Sequence, residues 1–103
     1  MDSQLKRGLL DVCVLSVLKD GESYGYKIVN DLSKYIIVSE STLYPILKRL
    51  EQSKFVTTRS EEHNGRLRKY YMITQAGKKK IEEFLNEMDE FLKVHDFIRG
   101  QGV

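Results

Sequence analysis

The sequence predicts a mainly α-helical fold that carries one small β-hairpin and ends in a long helix, and three observations lead to it. Apolar residues recur at helical spacing in three segments before residue 52. The pattern then changes to Val, Thr and Tyr on either side of Asn64-Gly65, a hairpin turn signal. From Gln75 the helical rhythm returns and runs on to Ile98. A chain of 103 residues, 41% hydrophobic and 31% charged, suits one globular unit with a modest core.

The first helix is expected from Ser3 to Lys19. Leu5, Leu9 and Val12 keep its period, while Leu10, Cys13, Val14, Leu15, Val17 and Leu18 crowd the other faces. A helix apolar nearly all round is buried on more than one side, and in so small a domain the second side meets a partner subunit. Asp20-Gly21 ends it. Ser23 is expected to cap a second helix, Tyr24 to Lys34, with Ile28, Val29 and Leu32 turned inward. Tyr35-Ile36-Ile37-Val38 reads either as a short strand or as a buried turn, and its brevity favours the turn.

Ser39 then caps a third helix, Glu40 to Gln52, with Glu40 complementing the helix dipole. Leu43, Ile46, Leu47 and Leu50 dock it on the core, and Pro45, deeper than the favoured first position, is expected to bend the opening turn slightly. Strands follow over Phe55–Ser60 and Arg66–Ile73, joined by a polar tip, Glu61 to Gly65. Two strands alone are marginal, so the hairpin must pack on the helices. Thr74 caps the last helix, Gln75 to Ile98. Ile81, Phe84, Leu85, Met88, Phe91 and Leu92 line one side of it, and acidic residues fill the other. Little of its own domain is left for that stripe to cover, so it reads as a dimerisation helix. The expected division is 1–74 and 75–103 within one compact unit.

Composition narrows the functional classes. The longest dense apolar stretch, Leu9 to Leu18, is broken by Asp11 and Ser16, short of the roughly 18–20 residues of a membrane span. The N-terminus has no signal-peptide pattern, and the lone Cys13 suits a reducing compartment, so a cytoplasmic protein without a membrane partner is expected. No catalytic residue, metal site or cofactor is expected. Cys13 sits in an apolar helix, His63 and His95 lack metal-site neighbours, and the seven glycines form neither a phosphate loop nor a dinucleotide fingerprint.

Charge is distributed unevenly. Residues 1–38 balance at zero and residues 75–103 sum to −1, whereas residues 39–74 hold seven basic against four acidic residues. A nucleic-acid surface belongs in that middle third. The element order, three helices then a hairpin, is that of a winged helix-turn-helix, whose third helix fits the DNA major groove. Ser39, Glu40, Ser41, Thr42 and Tyr44 then meet base edges, Lys48 and Arg49 suit phosphates, and Arg66, Arg68 and Lys69 make a basic wing. Glu40 can either cap or accept from cytosine. A winged-helix module used only for protein contacts is the alternative, and the basic wing argues against it.

The segments Ser39-Glu-Ser-Thr-Leu-Tyr-Pro-Ile-Leu-Lys-Arg-Leu-Glu51 and Gly65-Arg-Leu-Arg-Lys-Tyr-Tyr-Met-Ile-Thr74, with Gly77, closely resemble the PadR family of bacterial transcriptional regulators. Gly8 to Leu18 and Tyr24-Gly-Tyr-Lys-Ile28 resemble its first two helices, and the length resembles its short subfamily with a single C-terminal helix. The resemblance implies a homodimeric repressor on an inverted-repeat operator of double-stranded DNA. It implies a DNA surface of Tyr26, Lys27, Ser41, Thr42, Tyr44, Lys48, Arg66, Arg68, Lys69 and Tyr70. Some members release DNA when a small aromatic or drug-like effector enters the dimer. The expected interface and effector pocket combine Leu5, Leu9 and Val12 with Ile81, Phe84, Leu85, Met88, Phe91 and Leu92. Where short members stack an aromatic residue on the ligand this chain has Met88, and it has no Trp.

Overall fold

In the computed structural model, which describes residues 3–100, the chain follows the expected order of elements. Helix α1 (Ser3–Val17) tightens into a 3-10 turn, Leu18–Asp20, and Gly21 at φ 148° redirects the backbone. Helix α2 (Gly25–Leu32) is shorter than expected at both ends. Ser23 does not cap it. Its backbone pairs with Tyr71 (N–H to O 3.1 Å, O from N–H 2.8 Å) as a one-residue third strand, and Tyr24 takes the N-cap position without a side-chain bond. Residues 35–38 form the expected turn and no strand, yet only Ile36 and Val38 tuck under. Tyr35 and Ile37 are exposed.

Helix α3 (Glu40–Gln52) begins as predicted. Ser39 Oγ accepts from Thr42 N–H at 3.2 Å, and the helix runs unbroken through Pro45. At its other end Lys54 takes a left-handed φ of 63°. Phe55 N–H reaches back to Leu50 O (2.9 Å) and Lys54 N–H to Glu51 O (3.0 Å), satisfying the terminal carbonyls. Thr74 ties this end to helix α4 (Gln75–Arg99): its hydroxyl donates to Lys54 O at 2.8 Å and accepts from Gly77 N–H at 3.1 Å. Gly77 is required there, because a Cβ would overlap the Phe55 carbonyl oxygen and come within 2.7 Å of Ile73 Cγ1.

Strands β1 (Val56–His63) and β2 (Arg66–Ile73) pair antiparallel from Val56↔Ile73 to His63↔Arg66. The expected five-residue tip is therefore only Asn64-Gly65, with φ of 51° and 78°, as a two-residue type I′ turn requires. Glu61, Glu62 and His63 belong to the strand, since the turn's twist matches that of the ladder and pairing continues to the end.

Leu15 and Leu18 from the first helical segment, Ile28 from α2, Leu43, Leu47 and Leu50 from α3, and Val56 from β1 are fully buried together. Each such side chain contributes about 1.5–3 kcal/mol by burial. Tyr71 and Ile81 close the core over the hairpin and α4. Only the first turns of α4 join it. Its 25 residues extend for about 37 Å at 1.5 Å per residue, and the described chain spans 60 × 26 × 21 Å.

Candidate nucleic-acid interface

Helix α3 has one face committed to the core, and the opposite one is solvent-exposed. Ser41, Tyr44 and Lys48 fall at i, i+3 and i+7 on that outer face, and Ser39 and Thr42 are exposed beside it. The hydroxyls of Ser39, Ser41 and Thr42 are linked (2.9 and 3.1 Å), so the cap and the polar edge of the helix are one cluster. Pro45 has no N–H, which leaves the Ser41 carbonyl without its intrahelical donor on this same face.

Tyr44 is 48% exposed, and its ring crosses the start of α2 directly over Gly25. A Cβ at residue 25 would lie 2.6 Å from Tyr44 Oη and 2.9 Å from Cζ. Gly25 therefore sets where Tyr44 sits. Beside it Tyr26 projects into solvent (68% exposed) with Lys27 exposed next along α2. A cleft of 490 Å³ separates this surface from the hairpin, lined by Tyr24, Tyr26 and Tyr44 on one side and by Arg66, Arg68 and Lys69 on the other. A cleft with this arginine wall can take a polyanionic backbone, with the Tyr26 and Tyr44 hydroxyls donating and guanidinium groups bridging phosphate oxygens.

The hairpin alternates, so its basic residues do not act as one cluster. Lys69 shares the inner face with Tyr71 and reaches α3, where its Nζ lies 3.0 Å from Glu51 Oε1. Thr58 donates to the other Glu51 oxygen at 3.0 Å. The ammonium first and the Thr58 hydroxyl second hold the Glu51 carboxyl below its ordinary range, and the carboxylate in turn raises the Lys69 ammonium. Burial pushes the Tyr71 hydroxyl up. On the outer face Arg59 is gripped by both oxygens of Glu22 (Nε to Oε2 2.8 Å) and by Glu61 (2.9 Å). Arg59 thereby lowers the Glu22 carboxyl and holds its own proton more tightly. Arg49 is likewise bound by Asp11 of α1, so this expected phosphate contact instead joins two helices.

Among the described residues, Lys27, Lys48, Arg66 and Arg68 pair with no carboxylate. Four uncommitted cations therefore surround the α3 face and its cleft. Tyr70 lies half-buried under Arg59, whose guanidinium carbon is 4.5 Å from the ring centroid. Sequence reasoning did not single out Gly25, Tyr24, Glu22, Arg59 or Glu51. Their partners lie up to 46 residues away, and no local spacing signals such a pairing.

The apolar residues expected at a subunit interface divide in two. Val12 and Ile81 belong to the chain's own core, at 6% and 5% exposure. Leu9, Phe84 and Met88 are half-buried, while Leu5, Leu85, Phe91 and Leu92 are exposed. Leu5, Phe84, Met88 and Phe91 line a small apolar groove of 190 Å³ between α1 and α4. Beyond it Val94, Phe97 and Ile98 are also exposed. No helix among the described residues is long and apolar enough to cross a membrane.

Residues 14–83 match the sequence profile of the Transcriptional regulator PadR-like family. An uncharacterised protein of Lysinibacillus sphaericus is 32% identical and aligns over 95% of both chains. The crystal structure of a PadR-like transcription factor from Bacteroides fragilis superposes with a TM-score of 0.83 at 31% identity, covering 93% of this chain and 95% of that one. The negative transcriptional regulator PadR of Bacillus subtilis is 30% identical over 75% of this chain, which spans only 45% of that protein's length. Its structure in complex with operator DNA superposes with a TM-score of 0.70 at 28% identity, covering 75% of this chain and 46% of that one.

Proposed function

The chain belongs to the PadR-like family of transcriptional regulators, and from that premise we propose that it is a sequence-specific DNA-binding repressor. It is a regulator, not an enzyme. It works in the cytoplasm as a homodimer on an inverted-repeat operator. The observation that carries this reading is the exposed Ser41–Tyr44–Lys48 face of α3 standing beside a hairpin whose Arg66 and Arg68 pair with no carboxylate among the described residues. The operator complex of the Bacillus subtilis relative supports it.

In this mechanism residues 1–74 form the DNA-binding unit and residues 75–103 the dimerisation helix, of which 101–103 lie outside the described residues. Ser41, Thr42 and Tyr44 meet base edges in the major groove, with Ser39 holding the helix start. Lys48, Tyr26 and Lys27 contact the flanking backbone, and Arg66 and Arg68, with Tyr70 behind them, grip phosphates from the wing. Lys69 can join them only by exchanging Glu51 for a phosphate oxygen.

Dimerisation covers the exposed apolar length of α4, from Leu85 through Phe91 and Leu92 to Ile98. It places two reading helices about one DNA turn apart, roughly 34 Å. A small apolar or aromatic effector would enter the groove of Leu5, Phe84, Met88 and Phe91 at that interface. By favouring a different spacing of the two reading heads it would lower operator affinity. Selection of bound duplexes from a randomised DNA pool tests the function. An enriched inverted repeat with half-sites one turn apart supports it, and a pool without enrichment shifts the weight to a protein-contact module.

A further inference from the structure

We infer that Tyr24 is a positioning residue for the wing, holding the Arg68 guanidinium in a fixed plane for a phosphate. The inference rests on the DNA-binding reading and adds to it a residue that does not itself touch DNA. The Arg68 guanidinium carbon lies 4.0 Å from the centroid of the Tyr24 ring. An aromatic face attracts a cation without taking any of its N–H groups, so Arg68 stays charged and able to donate. A carboxylate partner would instead occupy the donors that phosphate needs, as Glu22 and Glu61 occupy those of Arg59.

The Tyr24 ring is itself held. Ser23 is locked to Tyr71 by two backbone hydrogen bonds, which lays residue 24 alongside Tyr70 across the strand. The two rings meet edge to face, with centroids 5.8 Å apart and planes at 80°. Arg59 covers Tyr70, and Glu22, two residues before Tyr24, closes the circuit by binding Arg59. Glu22 and Tyr24 precede α2, while Arg59, Arg68 and Tyr70 belong to the hairpin. The stack therefore fixes the wing relative to the helices. An arginine on an isolated hairpin would lose side-chain freedom on binding, and one held on Tyr24 has lost much of it already.

The test is a double-mutant cycle on the full chain, read by affinity for the selected duplex and by NMR of the free protein. Tyr24→Leu should weaken binding about three- to ten-fold, whereas Tyr24→Phe, which keeps the ring, should stay within about two-fold. In an Arg68→Ala background Tyr24→Leu should cost nothing further. Arg68→Ala should lower the salt slope, but Tyr24→Leu should leave it intact because the phosphate contact survives. Without DNA, the Arg68 δ-methylene protons should show a ring-current upfield shift that Tyr24→Phe keeps and Tyr24→Leu removes. Independent, multiplying losses would overturn the inference, as would an equal loss in Tyr24→Phe or the absence of the upfield shift in the parent chain. Failure of the DNA-binding reading looks different: the parent chain itself then selects no duplex while the NMR shift persists.

Discussion

Replacing Gly25 with Ala probes the reading surface by displacing Tyr44 without removing any group that would meet DNA. The added Cβ lies 2.6 Å from Tyr44 Oη, and ordinary contact begins near 3.4 Å, so the hydroxyl must retreat by about 0.8 Å. The ring is the far end of a half-exposed side chain and can swing away, so the fold survives. Gly→Ala also favours a helix by up to about 1 kcal/mol, offsetting part of the strain. Melting should therefore stay within about 4–8 °C of the parent. Binding has no such compensation. A desolvated base-edge group left without its partner costs about 1–3 kcal/mol, and a shift of this size forfeits much of that hydrogen bond. Operator affinity should fall about ten-fold, a loss of about 1.4 kcal/mol. Fluorescence anisotropy on the selected duplex at one salt concentration reads it, with Tyr44→Ala as the background control. There Gly25→Ala should be silent, since the Cβ then has nothing to displace. Undiminished affinity, or the same loss in both backgrounds, would refute the argument.

Three further outcomes follow from the packing and the ion pairs. Gly77→Ala forces a Cβ into the Phe55 carbonyl, which the Thr74 bonds hold in place, and should cost about 1–3 kcal/mol. A thermal melt should then drop by roughly 5–20 °C, and an unchanged melt would contradict the close approach. Phe91→Asp removes an apolar contact twice in a symmetric dimer and should weaken self-association about a hundred-fold or more, as sedimentation would show. A dimer of undiminished strength would exclude that face of α4. The carboxyls of Glu22 and Glu51 are held below their ordinary range by Arg59 and by Lys69. Their contribution is fully present above the unfolded value of about 4.3 and is lost as pH falls through the lowered folded values. Melting should hold from pH 7 to about 5 and then decline, less steeply in the Glu22→Gln, Glu51→Gln double variant; an identical decline would show that the two pairs contribute nothing.

Local chemistry made much of the architecture legible. Ser39 and Thr74 announce their helices because a cap needs only a hydroxyl three residues from an N–H. Asn64-Gly65 announces the hairpin because few residues tolerate positive φ twice running. Ser23 misled because the same hydroxyl signal precedes α2, while its backbone is claimed by Tyr71, 48 residues on. The tip is shorter than its composition suggests because Glu61 and Glu62 look like loop residues, whereas the outer end of their strand is exposed on both faces. At the interface, charge was legible but its disposition was not. Lys48 and Arg49 are adjacent in sequence, yet one is exposed and the other is bound to Asp11. Arg66, Arg68 and Lys69 read as one basic cluster, but alternation along β2 sends Lys69 to Glu51. Only tertiary structure decides which cations remain available to a partner.

The most direct test of the account is a salt titration of the selected duplex against the parent chain and the Arg66→Ala, Arg68→Ala double variant. Each phosphate contact contributes about 0.9 to the slope of log affinity against log salt. Two arginines from each of two protomers should therefore lower the slope by about 3–4, while the preferred sequence stays the same. A slope that does not change, or a parent affinity insensitive to salt, would contradict the wing and the DNA-binding function built on it.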